Sequence, residues 1–167
     1  MAAKIRQADA KLVERAIQDM GENVMDIARL IRTRDPNGIV TCPAGATVRQ
    51  AVQLLAEKRI GALPVMQGGQ VAGIFSERDV LYRLAEEGAL CLDRQVGEVM
   101  TSPPVTISPE TSFMNALALM TKRRIRHLPV MNNGAMVGFI SIGDIVKARI
   151  DEVTAEAEHM RQYIQTA

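Results

Sequence analysis

The order of apolar and polar positions occurs twice along the chain. Residues 60–80, IGALPVMQGGQVAGIFSERDV, align without a gap on residues 125–145, IRHLPVMNNGAMVGFISIGDI, at a constant offset of 65 residues. Nine of these 21 positions are identical, and the same offset places Val40 on Val105. An internal repeat of this length predicts two copies of one structural unit.

Each copy predicts the same elements in the same order. A short apolar strand at residues 39–41 or 105–107 precedes a helix whose apolar residues recur three and four positions apart. Two apolar runs then flank a turn that contains glycine, which is typical of a β-hairpin, and a serine opens a second helix. The helix positions expected to face the core are Val48, Ala51, Val52 and Leu55 in the first copy and Phe113, Ala116, Leu117 and Met120 in the second.

The fold class predicted is mixed α/β (α+β), with two pseudo-symmetric β-α-β-β-α units. A unit of about 60 residues buries too small a share of its surface to be stable alone, so the two units are expected to pack sheet to sheet as one module. The predicted divisions are a helical lead-in at 1–35, a first unit at 36–90, a second unit at 91–149 and a C-terminal helix at 150–167.

Both ends of the chain extend past the repeat. Residues 1–22 suggest an extra amphipathic helix to which we assign no role, and residues 24–34 suggest a second helix that ends before Pro36. At the other end, apolar residues alternate at spacings of four and three: Val146, Ile150, Val153, Ala157, Met160 and Ile164. This narrow seam predicts either a helix that straps a homodimer, which we prefer, or one that folds back on its own core.

Composition and charge exclude several classes of protein. Apolar residues make up 47% of the chain, enough for an interior, and 20 basic residues balance 19 acidic ones. A net charge of +1 argues against binding to nucleic acid or a membrane surface by bulk electrostatics. Neither a membrane span nor the apolar core of a secretory signal is present in the sequence, which predicts a cytoplasmic protein.

Metal-ligand spacing is also missing from the sequence. Cys42 and Cys91 form no CxxC pair, and His127 and His159 lie far apart along the chain. We therefore predict no metal site.

The segments GIFSERD (73–79) and GFISIGD (138–144) hold the most informative polar residues. A serine at a strand-to-helix turn is a favoured N-cap, and an acidic residue three positions later suits the helix dipole, so both segments could simply begin helices. The same geometry also suits a ligand, because a helix N-terminus offers N–H groups to phosphate and a carboxylate accepts hydrogen bonds from ribose hydroxyls. The two interpretations are compatible.

Residues 24–150 resemble a tandem pair of CBS domains, also called a Bateman module. The resemblance rests on VGEVMT (96–101), on LPVM in both copies and on the paired Gly-x-x-Ser-x-x-Asp segments. The sequence is most similar to small bacterial stand-alone CBS-pair proteins. The resemblance implies a cleft between the units that binds AMP, ADP or ATP, or in some members NAD or S-adenosylmethionine. No further cofactor is expected.

The resemblance also implies site residues. The ribose-binding aspartates fall on Asp79 and Asp144 and the small hydroxyl residues on Ser76 and Ser141. The backbone that holds adenine falls on Val40, Thr41, Val105 and Thr106.

In the family that this chain resembles, basic residues just before the LPV strand often contact phosphate. Here only the second copy has them, as Arg126 and His127, where the first copy has Gly61 and Ala62. We therefore expect Asp144 to mark the better phosphate-bearing site. Arg78 either supplies the charge missing from the first copy or is an exposed helix residue. His127 is either a phosphate ligand or a half-buried imidazole satisfied by its neighbours.

Two functions follow as hypotheses. The first is a non-catalytic regulatory sensor that binds an adenosine-type nucleotide and passes its occupancy to a partner protein. The alternative is a structural homodimeric module with no small ligand. We expect no enzyme: such pairs occur inside inosine monophosphate dehydrogenases, but this chain is too short for that enzyme's barrel, and no nucleophile stands beside a plausible base.

Overall fold

The structure, a computed structural model, describes residues 26–32 and 38–166. Its helices are α1 (Ile27–Arg32), α2 (Val48–Lys58), α3 (Glu77–Glu87), α4 (Val96–Val99), α5 (Phe113–Arg123) and α6 (Ile142–Thr166), with a 3-10 segment at Gly88–Asp93. Its strands are β1 (Cys42–Pro43), β2 (Ala62–Gln67), β3 (Gln70–Ser76), β4 (His127–Asn132) and β5 (Ala135–Ser141). The predicted mixed fold of two repeated units is confirmed.

Each unit is built around one antiparallel hairpin. Strands β2 and β3 pair from Ala62 opposite Ser76, and β4 and β5 pair in the same register from His127 opposite Ser141. Strand β1 adds to β2 in parallel, so the first sheet has the order β1-β2-β3 and the second β4-β5. In the second unit the predicted first strand is reduced to a single bridge between Ile107 and Val130.

The backbone conformation of the hairpin turns explains why glycine and asparagine occur in them. Both residues of each turn have positive φ: 58° and 79° at Gly68 and Gly69, 48° and 80° at Asn133 and Gly134. Two-residue turns of this kind match the twist of the strands, and glycine and asparagine tolerate the conformation best.

The first helix of each unit begins and ends in the same way. The Thr47 hydroxyl accepts from the Gln50 N–H in α2, and the Ser112 hydroxyl accepts from the Asn115 N–H in α5, both at 3.2 Å. Both helices end at an arginine in the left-handed conformation, Arg59 and its repeat counterpart Arg124.

Each unit has its own apolar core, and the buried positions correspond through the repeat. The matched pairs are Cys42 with Ile107, Val48 with Phe113, Ala51 with Ala116, Leu55 with Met120, Leu63 with Leu128, Val65 with Val130 and Phe75 with Ile140. Val52 and Leu117, also predicted to face the core, are partly buried and pack against its edge.

The short lead-in helices are exchanged between the units. Helix α1 precedes the first unit but packs on the second, where Ile27 is fully buried and its N–H donates to the Thr111 carbonyl at 3.0 Å. Helix α4 precedes the second unit but packs on the first, with Val96 fully buried and its N–H donating to the Ala46 carbonyl at 2.8 Å. Each core is therefore completed by a segment that comes before the other unit.

This exchange explains the first residue of each Gly-x-x-Ser-x-x-Asp segment. A Cβ built on Gly73 would lie 2.5 Å from Met100 Sδ and 2.7 Å from the Thr101 carbonyl oxygen. A Cβ on Gly138 would lie 2.7 Å from a methyl of Ile31. Glycine is needed at both places because a lead-in segment passes directly over the strand.

The structure describes part of each predicted extension. Helix α6 continues without a break from Ile142 to Thr166, so no boundary appears in it at residue 150. In the described part of the predicted second N-terminal helix, α1 spans Ile27–Arg32. The predicted helix within residues 1–22 lies outside the described residues.

Candidate functional site

A cavity of about 590 Å³ lies between the two units. One wall comes from the lead to β1 and from the stretch between α2 and β2, and the other comes from the second hairpin and the start of α6. Its lining residues are Ile31, Gly38, Ile39, Val40, Arg59, Ile60, Gly61, Ala62, His127, Gly138, Phe139, Ser141 and Asp144. The volume falls within the range typical of small-molecule sites in proteins.

Asp144 lies in the first turn of α6, at the edge of the cavity. Its Oδ2 accepts hydrogen bonds from the Ser141 N–H at 2.6 Å and from the Ser141 hydroxyl at 2.7 Å. The Asp144 N–H donates in return to Ser141 Oγ at 3.2 Å. This reciprocal pair caps α6 and holds the carboxylate in a fixed position at the cavity.

Asp79 repeats this arrangement at the other segment with one addition. Its Oδ2 accepts from the Ser76 N–H at 2.8 Å and from the Ser76 hydroxyl at 2.6 Å. Its Oδ1 accepts from the Thr101 hydroxyl at 3.1 Å. Neither Asp79 nor Ser76 lines the cavity that holds Asp144.

His127 lines the cavity and carries an aromatic ring that can take up a proton. Its ring stacks on Phe139 with 5.6 Å between centroids and 13° between planes. Burial lowers the pKa of His127 below its usual value of 6.5, and the charge of Arg126 lowers it further; the carboxylates of Asp144 and Glu77 act in the opposite direction. The ring is therefore expected to be mainly neutral near pH 7.

The structure brings four of the sequence-predicted site residues into this cavity: Val40, His127, Ser141 and Asp144. Thr41, Val105, Thr106 and Arg126 do not line it. Their roles stay predictions, as does the choice of Asp144 for the better site.

Arg78 reaches across to the other unit. Its guanidinium donates to the carbonyl of Arg124 at 2.8 Å. It does not line the Asp144 cavity, and its role in binding stays a prediction.

Two lining residues with useful chemistry, Arg59 and Phe139, were not predicted from the sequence. Arg59 looks like an ordinary basic residue at a helix end, and Phe139 like a core position of an alternating strand. The signal that could have found Arg59 is its position directly after α2, where a glycine is the common choice.

Other chemistry is sparse in the described part of the chain. No three His, Cys, Asp or Glu side chains among residues 26–32 and 38–166 are placed to hold a metal ion. Cys42 and Cys91 are both free and buried, and burial raises the pKa of the Cys42 thiol. No helix in the same residues has the length and apolarity needed to cross a bilayer.

Comparison with known proteins identifies both units. The CBS domain family model matches residues 24–86 and again 96–151. The chain is 38% identical over 129 residues to the mitochondrial CBS domain-containing protein CBSX3 of Arabidopsis thaliana, covering 74% of this chain and 63% of that relative's length. An inosine-5'-monophosphate dehydrogenase of Korarchaeum cryptofilum is 32% identical, over 64% of this chain and only 21% of the enzyme.

Solved structures show the same fold. A CBS-domain-containing protein from Agrobacterium tumefaciens superposes with a TM-score of 0.71 at 36% identity, covering 75% of this chain and 99% of that one. Two more distant structures carry ligands: CBSX2 with AMP, TM-score 0.64 at 23% identity over 75% of this chain and 96% of that one, and a CBS pair with 5'-methylthioadenosine and S-adenosyl-L-methionine, TM-score 0.66 at 20% identity over 77% and 98%. At these identities the likeness extends to the fold alone.

Proposed function

Because the chain belongs to the CBS domain family, we propose that it is a non-catalytic regulatory module that binds an adenosine-type nucleotide in the cavity beside Asp144. The ligands we favour are AMP, ADP and ATP, with NAD and S-adenosylmethionine as further candidates. Structural neighbours bound to AMP and to S-adenosyl-L-methionine support this ligand class. A cytoplasmic location stays a prediction beside a mitochondrial relative.

The observation that carries the proposal is the position of the Ser141–Asp144 pair at a cavity between the units. A carboxylate fixed by capping bonds is already ordered, so it can accept hydrogen bonds from ribose hydroxyls at little entropic cost. The adjacent first turn of α6 offers the positive end of its dipole to phosphate. Apolar contacts suited to a base come from Val40 and Ala62 on one wall and Phe139 on the other.

A ligand in this cavity touches both units and α1 at once. Val40 and Ala62 belong to the first unit, Asp144 to the second, and Ile31 to the exchanged helix α1. A nucleotide that binds one relative arrangement of these parts more tightly shifts the population toward it. The regulated partner would respond to that arrangement.

Calorimetric titration with AMP, ATP, NAD and S-adenosylmethionine tests the proposal. We expect at least one of them to bind, and Asp144→Asn, which keeps an acceptor for the Ser141 N–H, to weaken binding about tenfold. The matched control is Asp79→Asn, at the repeat counterpart, with affinity for the Asp144 cavity unchanged. Absence of binding by every ligand contradicts the proposal, and so does equal affinity before and after Asp144→Asn.

A second candidate function, a homodimeric interaction module, is favoured by the outer face of α6. Ile150, Val153 and Met160 are 60%, 49% and 70% exposed at the spacing of the predicted seam. A groove of about 330 Å³ runs between Leu117 of α5 and the residues Val146, Ile150 and Val153 of α6. This repeated spacing is typical of helices that pair with a like helix, so we infer that a second copy of the chain covers this face.

Ile150→Asp tests this inference by placing a charge in the middle of the seam. Light scattering is expected to show a dimer for the unchanged protein and a monomer for the variant, because a buried unpaired carboxylate opposes association. Lys147→Asp, at an exposed position one turn earlier, is the control and should leave the mass unchanged. A monomer before any substitution, or a dimer after Ile150→Asp, would exclude this face as the interface.

A further inference from the structure

We propose that Arg59 is the phosphate-binding residue of the Asp144 cavity. The inference rests on the proposed nucleotide function and names the group that makes this cavity prefer phosphorylated ligands over the bare nucleoside. It differs from the sequence-based expectation, in which Arg126 and His127 held that role.

Arg59 is the positively charged side chain among the charged groups at the cavity. Asp144 lines it, and Glu77 Oε2 lies 3.5 Å from where a Cβ on Gly61, another lining residue, would stand. Because burial lowers the pKa of His127, that ring adds little positive charge near neutral pH. Among the described lining residues Arg59 is the one arginine or lysine.

The backbone at Arg59 has a conformation that glycine adopts without strain. Its φ is 53° and its ψ 44°, the left-handed conformation that closes α2. A residue with a Cβ is strained in this conformation. Replacing Arg59 by glycine therefore removes the side chain without adding backbone strain.

The side chain of Arg59 is also available. Within the part of the chain that the structure describes, its guanidinium makes no hydrogen bond or ion pair, whereas Arg49, Arg83, Arg94 and Arg149 all pair with carboxylates. A guanidinium offers five donors in a planar fork that matches phosphate oxygens. Arg59 lines the cavity from the first unit, and Ser141 and Asp144 line it at the start of α6 in the second.

Arg59→Gly is the decisive variant because it removes the guanidinium and relieves the backbone conformation together. We expect its midpoint of urea unfolding to be unchanged or higher. Its affinity for AMP and ATP should fall about tenfold, while its affinity for adenosine stays within about twofold. Arg59→Lys should keep part of the preference for phosphate, since it keeps the charge but not the fork.

Arg124→Gly is the matched control. Arg124 ends α5 in the same conformation, with φ of 54°, but does not line the cavity, so all three affinities should match the unchanged protein. If the unchanged protein binds AMP and Arg59→Gly binds it equally well, or loses AMP and adenosine alike, the role of Arg59 is overturned while the nucleotide function stands. If the unchanged protein binds neither ligand, both proposals fail.

Discussion

The two repeat units share a skeleton and differ at the polar positions around their clefts. Phe75 and Ile140 occupy one core position, and Gly73 and Gly138 lie under equivalent lead-in segments. Beside these matched residues, Gly61-Ala62 of the first unit corresponds to Arg126-His127 of the second. Glu77-Arg78 likewise corresponds to Ile142-Gly143.

This division separates two kinds of constraint. Matched residues fill cores, cap helices or permit close approach of two backbones, and these needs are the same in both units. Unmatched residues change the charge and openness of the two ends of the interface. The Asp144 end has a cavity lined by His127, whereas at the Asp79 end Arg78 hydrogen-bonds across the units and Thr101 donates to the carboxylate.

The largest expected loss of stability comes from substitutions in the two cores. These substitutions test whether the two units unfold separately. Phe75→Ala should cost about 3–5 kcal/mol of unfolding free energy and Ile140→Ala about 2–5 kcal/mol, because both side chains are fully buried. Since the lead-in helices are exchanged, either variant should unfold in one transition. Urea unfolding followed by circular dichroism measures both quantities, and a separate early transition in either variant would show that the units are independent.

The glycines should differ in the cost of adding a methyl group. Gly73→Ala is expected to destabilise by about 2–3 kcal/mol, because the Thr101 backbone carbonyl has to move as well as Met100. Gly138→Ala should cost about 1 kcal/mol, since the Ile31 side chain alone obstructs it closely. Adding Ile31→Ala should make the Gly138 substitution nearly neutral, and thermal unfolding of the double variant checks this. Equal losses of stability in Gly73→Ala and Gly138→Ala would contradict this difference between the two glycines.

Arg78 and Gly143 hold one repeat position and should respond to alanine with opposite signs. Arg78→Ala removes an exposed hydrogen bond to Arg124, so it should destabilise by about 0.5 kcal/mol. Gly143→Ala should stabilise by about 0.5–1 kcal/mol, because it lies in the first turn of α6 and an added Cβ meets no atom closer than 3.6 Å. Chemical denaturation of both variants and the unchanged protein measures the two changes in unfolding free energy. Changes of the same sign would contradict the prediction.

The smallest effect concerns pH, since the repeat counterpart of His127 is Ala62, which does not titrate. The pKa of His127 is lowered by burial, so the unfolded chain takes up this proton first as pH falls below about 6.5. Stability from the neutral ring is thus complete above that pH and declines below it. The melting temperature of His127→Gln should fall less between pH 7.5 and 5.5 than that of the unchanged protein. An equal fall would show that the ring is not desolvated.

The repeat made most of the fold predictable from sequence. Helical spacing identified the buried faces of α2 and α5, and Gly68-Gly69 and Asn133-Gly134 identified the hairpin turns. The exchange of α1 and α4 was not predictable, because a lead-in helix has the same apolar pattern whichever core it covers. Family resemblance likewise located Ser141 and Asp144 at a cleft.

The cation of the cavity was harder to find. Arg126 and His127 were selected because the family resemblance implies phosphate contacts just before the LPV strand, but only His127 lines the cavity. Arg59 comes from the other unit and shares the cavity with Asp144 through the packing of the two units, which neither sequence distance nor composition encodes.

The exchanged lead-in helices limit how this chain can be divided. A fragment that starts at residue 91 would carry α4 near its beginning, and Val96 and Val99 of that helix belong in the core left behind. The other fragment would carry α1, with Ile27 lacking the core that buries it. Each piece alone exposes apolar surface, but mixed together the two hold every segment that the other is missing. The protein is therefore suited to reassembly from two separately expressed halves, because each half carries the lead-in helix that completes the core of the other.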